Sequence, residues 1–121
     1  NLSTSNDLRL RLRWAAILCG TIKADIAITG GVHTAEDVIK SMMAGANVAM
    51  MTSALLKHGI DHIKGILHGM EYWMDSHEYE SIKQMQGSMS HRKCSEPAAF
   101  ERANYMKVLT YYKAETPSPL K

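Results

Sequence analysis

Apolar residues follow two rhythms along this chain. Residues 26–29 and 48–51 form short, nearly continuous apolar runs bounded by glycine or hydroxyl residues, whereas the longer segments around them repeat at three- and four-residue spacing. The runs predict buried strands and the periodic segments predict helices. Between residues 24 and 56 the order is a strand, the turn Gly30-Gly31, a helix over 35–43 opened by Glu36 and Asp37, a stop at Gly45, a second strand, and the turn Thr52-Ser53 opening another helix. Strand, helix and strand in that order predict a right-handed parallel crossover.

The flanking segments are mostly helical in pattern. Residues 1–7 form a Ser/Thr/Asn loop in which Asn6 or Asp7 is suited to cap the next segment. Leu8 to Arg13 alternates strictly, as a strand would. The unalternating run that follows, and the stripe Leu8, Leu12, Ala15 and Ala16, favour a helix ending at Gly20. A short helix over 54–58 breaks at Gly59. A longer one, near 61–75, carries Ile63, Ile66, Leu67, Met70, Trp73 and Met74 on one stripe. A further short helix is expected over 79–85 with Ser81 near its start, then a loop over 87–97. The segment 96–109 is helical in pattern with Pro97 in its first turn, and a disordered tail is expected beyond Tyr112.

The two strand ends carry the candidate chemistry. Each run ends in small or hydroxyl residues at the mouth of a helix, where backbone N–H groups point outward and an anion is favoured. The turn Gly30-Gly31 after the first strand, with Met51, Thr52 and Ser53 after the second, could hold one phosphate from both sides. In β/α barrels the loops after the last two strands often form such a site. A plain strand-to-helix turn also favours glycine, so the motif alone leaves both readings open.

Length limits how much of such a fold is present. A complete eight-stranded barrel takes ~250 residues, and this chain has 121. Its hydrophobic fraction of 45% and charged fraction of 21% are those of an ordinary globular protein. A net charge of +2 argues for neither nucleic acid nor a membrane surface as partner. No apolar run approaches the ~20 residues of a membrane span. Cys19 and Cys94 are far apart and form no metal or redox motif, which predicts reduced thiols and a cytoplasmic setting. The start at Asn1, without an initiator methionine, suggests a chain beginning mid-protein.

The remaining reactive residues read as structural. His58 and His62 are four apart, but Gly59 lies between them and no third ligand is apparent, so no metal site is expected. The nine methionines read as pliable core filler. The arginines of the Leu/Arg alternation read as a solvated face or a contact with another part of the protein. No nucleophile stands in a recognisable elbow, and no catalytic residue is nominated.

Residues 28–40 and 44–56, reading ITGGVHTAEDVIK and AGANVAMMTSALL in one-letter code, resemble the last two strand units of the dihydroorotate dehydrogenase-like flavoproteins. Residues 69–74 are similar to the helix that closes those barrels, and residues 79–89 to the extension behind it. The resemblance implies an α/β fold: a partial (β/α)8 TIM barrel made of the last two strand–helix units plus a helical C-terminal extension. It divides the chain into a barrel portion (1–78), the extension (79–112) and a tail (113–121). It implies FMN as cofactor, with its phosphate on the amides of Gly30, Gly31, Thr52 and Ser53 and with Thr29 and Met51 flanking. The parent would act on dihydroorotate or a related dihydropyrimidine in pyrimidine metabolism; homo-oligomerisation is left open. The family's catalytic base, flavin-contacting lysine and substrate-binding asparagines come from earlier segments, so this chain would contribute phosphate binding and scaffold. Two departures stand out. The first flavin-approaching loop lacks glycine here, which leaves Ser3 without an assigned role, and Arg11 stands where relatives tend to have proline.

Two strands cannot close a barrel, so unpaired edges and an open apolar face of Ile26, Ile28, Val48 and Met50 are expected. Two other readings compete. One is a fragment of a different phosphate-binding barrel enzyme, acting on a sugar phosphate or nucleotide. The other is a non-enzymatic helical interaction module.

Overall fold

The computed structural model describes residues 1–111, with the side chains of residues 1–103, 105 and 106. The tail expected beyond Tyr112 lies outside the described residues. The elements run α1 (Leu8–Leu18), β1 (Ala27–Thr29), α2 (Ala35–Ala44), β2 (Val48–Met50), α3 (Ser53–His58), α4 (His62–Ser76), α5 (Ile82–Met85) and α6 (Pro97–Tyr111), with 3-10 turns at Ser5–Asp7 and His91–Lys93. β1 and β2 pair in parallel, with Ala27 opposite Val48, Ile28 opposite Ala49 and Thr29 opposite Met50. The parallel pairing, with α2 between the two strands, is therefore as the pattern predicts.

The register corrects the expected open face. Side chains alternate across a strand, and Ile28 is 4% exposed on the helix side while Val48 and Met50 are each 50% exposed. Ile28 lies opposite Ala49, so the open face carries Ala27, Thr29, Val48 and Met50. Ile26, half-buried, packs on the core with Ile28. The strands are thus covered on one side rather than buried on both.

Helix α2 sits at the centre of the core. Thr34 caps it: its hydroxyl accepts from the Asp37 N–H at 3.2 Å while the Asp37 carboxylate accepts from the Thr34 N–H at 3.2 Å. Gly45 closes it with a φ of +110°, and the Ala46 N–H reaches the Ser41 carbonyl at 3.0 Å. Val38, Ile39 and Met42 point inward against Leu8, Ala15 and Ala16 of α1 and Ile66 and Met70 of α4. The α4 stripe is narrower than its sequence suggests, because Ile63 and Leu67 stay exposed.

The segment after α4 is sewn to the far end of α2. The Gly87 N–H donates to the Met42 carbonyl and the Met89 N–H to the Met43 carbonyl, both at 2.9 Å, while Met85 is fully buried. The second takes up a carbonyl that the end of α2 leaves unpaired, while the first joins the Gly45 N–H already on the Met42 carbonyl. Ser81 precedes α5 as the sequence suggests. Asp7 does not cap α1; its carboxylate turns back to accept from the Thr4 N–H (2.7 Å) and hydroxyl (3.1 Å).

Candidate site at the paired strand ends

β1 and β2 end side by side, and each hands the chain to a turn at the same end of the sheet. After Thr29 the backbone enters Gly30 and Gly31 with φ of +80° and +90°. That is the left-handed region, which glycine occupies without penalty. An ideal Cβ on Gly31 would stand 2.5 Å from the backbone nitrogen of Leu8, and one on Gly30 would stand 3.0 Å from the Arg11 guanidinium. The first turn of α1 therefore lies directly against this glycine pair. Because parallel pairing sets Thr29 opposite Met50, Met51 is one residue beyond, and Thr52 and Ser53 lead into α3.

Ser3 joins the two turns. The Gly31 N–H donates to Ser3 Oγ at 3.1 Å, and the Ser3 hydroxyl donates to Ser53 Oγ at 2.9 Å. The Ser3 N–H also donates to Ser53 Oγ, at 3.1 Å. Ser53 Oγ thus accepts twice, which leaves its own proton for a further acceptor. Gly31 and Ser53 come together through Ser3. Thr29, Gly30, Met51 and Thr52 flank that point on the two turns.

A buried carboxylate holds the loop in place. Asp37 is 5% exposed, and its Oδ2 accepts from the Ser5 hydroxyl (2.8 Å), the His33 N–H (3.1 Å) and the Thr34 N–H (3.2 Å). On the other side of His33, the His62 Nε2–H donates to the His33 carbonyl at 2.8 Å. His58 packs beside His62 with ring centroids 4.8 Å apart. The histidine pair considered for a metal serves here to brace the turn after β1. Arg11 donates to the Asp7 carbonyl, and the Asp7 carboxyl lies below its ordinary range, chiefly through the Thr4 N–H and hydroxyl bonds and more weakly through the charges of Arg11 and His33.

Half of this chain is similar to a dihydroorotate dehydrogenase. The catalytic subunit of dihydroorotate dehydrogenase B (NAD(+)) of Thermoplasma acidophilum is 35% identical over 63 residues, which cover 52% of this chain and 21% of that protein. The match thus spans about a fifth of the relative's length. No family model matches the chain. The similarity supports a relationship to dihydroorotate dehydrogenase-like proteins. The mixed α/β structure with two parallel strands agrees with that relationship. Among the described residues no helix is long and apolar enough to cross a membrane.

Three residues at the site were not nominated from the sequence. Ser3 was set aside because its loop lacks glycine, yet a hydroxyl-rich stretch before a helix was a usable signal for donors near an anion. Arg11 was marked only as a departure, and its approach to Gly30 depends on how α1 packs. His33, two residues after Gly31, could not be aimed without knowing the path of residues 1–7.

Proposed function

We propose that this chain supplies the phosphate-holding part of an FMN-dependent oxidoreductase of the dihydroorotate dehydrogenase kind. What carries the reading is Ser3 Oγ, held by the Gly31 N–H and hydrogen-bonded to Ser53 Oγ at the ends of adjacent parallel strands. A hydroxyl oxygen occupies the point where two turns converge, and a phosphate oxygen there can accept from the Gly31 N–H and from the Ser53 hydroxyl proton. The donors suit the group: a backbone amide in a glycine turn and two hydroxyls offer hydrogen bonds to an oxyanion with no carboxylate among them. Thr29, Gly30, Met51 and Thr52 complete the rim.

On this reading the barrel portion is residues 1–78 and the extension 79–112. Bound FMN supplies an acceptor for the hydride of a dihydropyrimidine. This chain's residues bind and orient the phosphate end, while the groups that handle substrate belong to the rest of the parent protein. Titrations of the parent with FMN and with riboflavin, followed by flavin fluorescence, test the reading. FMN should bind at least about tenfold more tightly, since one hydrogen bond to a charged group is worth about 1.5–3 kcal/mol. Equal affinity for the two flavins would remove the phosphate from these turns.

A further inference from the structure

His33 is the side chain aimed at the point where the turns converge. Its Nε2 lies 3.5 Å from Ser3 Oγ, at the long limit of a hydrogen bond, so the ring retains its capacity for a stronger acceptor. Its backbone is pinned from both sides, by Asp37 on its N–H and by His62 on its carbonyl. The ring is half-buried, and its approach is fixed by groups that do not depend on a ligand.

We propose that His33 is a side-chain ligand of the anion bound at this site, and that anion binding draws a proton onto its imidazole. The inference rests on the phosphate reading above and adds a charge that the amides and hydroxyls do not supply. A proton from solvent makes the ring an imidazolium, and Nε2–H then donates to an anion oxygen as a charge-assisted bond. The surroundings allow this. From the N-terminal turn, Asp7 lies within electrostatic reach, and Arg11 of α1 is held on the Asp7 carbonyl. From α2, the Asp37 carboxylate is engaged by the His33 N–H. From α4, His62 meets the His33 carbonyl, with His58 of α3 behind it, and Ser3 and Ser53 bring neutral hydroxyls. An anion seated at Ser3 would lie beside the His33 imidazole.

Linkage fixes the sign. A ligand that prefers the protonated ring raises the histidine's titration midpoint, and affinity rises as pH falls through the range between the free and bound midpoints. Sulfate is the first probe, because its own charge does not change across that range, and FMN is the second. The His33 ring protons are followed by NMR from pH 5 to 8 in the protein carrying this chain, with and without each ligand, alongside the Gly31 amide. With ligand, the His33 midpoint should rise by about one unit, equivalent to about tenfold tighter binding to the protonated form. Riboflavin should leave it unmoved. His33→Gln should keep anion binding at pH 8 and lose the strengthening toward pH 6. A shifted Gly31 amide with an unmoved His33 midpoint would overturn this inference and leave the phosphate site standing. No response of Gly31 to sulfate or FMN at any pH would overturn both.

Discussion

Gly31→Ala should damage the fold rather than crowd a ligand. A side chain at Gly31 would point at α1, with the new Cβ 2.5 Å from Leu8 N and 3.0 Å from Leu8 Cα and Cβ. Leu8 is 1% exposed, and its backbone opens α1, so it cannot yield by turning a side chain. Two costs add. A non-glycine residue at a φ of +90° costs about 1–3 kcal/mol, and forcing a methyl into packed backbone costs about 1–3 kcal/mol. The sum, about 2–6 kcal/mol, is a large part of the ~5–15 kcal/mol that holds a typical domain. Gly65→Ala is the matched control. Gly65 lies inside α4, and a Cβ there meets nothing within 4 Å, so the change should stabilise by up to about 1 kcal/mol. Urea unfolding of both variants, read by tryptophan fluorescence and circular dichroism, makes the comparison. A Gly31→Ala midpoint within error of wild type would refute the argument from α1 packing.

Two further perturbations probe the support of the site. Asp37→Ala removes the acceptor shared by Ser5, His33 and Thr34, and should cost about 2 kcal/mol or more, combining a lost N-terminal cap with stranded donors; a urea midpoint unchanged from wild type would count against that role. The Asp7 carboxyl is held below its ordinary range, first by the Thr4 N–H bond and then by the Thr4 hydroxyl. Its contribution to the order of residues 4–7 is therefore full above the ordinary carboxylate range and lost as pH falls through the lowered value. Amide chemical shifts of Thr4 should report that loss in wild type, and a titration with the same profile in Asp7→Asn would assign it to another group.

The local fold was legible where a single rule sufficed. Glu36 and Asp37 open a helix, Gly45 is a helix stop, and apolar runs separated by a helix give parallel strands. The open face was misread because alternation gives two faces for each strand but not the register between strands; placing Ala27 opposite Val48 moved Ile28 to the core side. At the site, Gly31 and Ser53 could be named from their turns. Ser3, Arg11 and His33 could not be placed there, because their approach is made by a non-local loop whose path depends on Asp37 and on the packing of α1. Chemistry carried by one turn is written in adjacent letters, whereas chemistry assembled across 28 residues between Ser3 and Gly31 is not.

The half-covered sheet gives this sequence a built-in reporter of its surroundings. Val48 and Met50 stand half-exposed opposite a helix-packed face, on a pair of strands with free edges among the described residues. If nothing covers them in the cell, polar replacements there are nearly silent, while polar replacements at Ile28 are not. If another part of a larger protein lies over them, the same replacements at Val48 and Met50 become as harmful as those at a core position. A saturation library selected for cellular abundance would therefore measure the occupancy of that face directly, through tolerance alone and without isolating whatever rests on it.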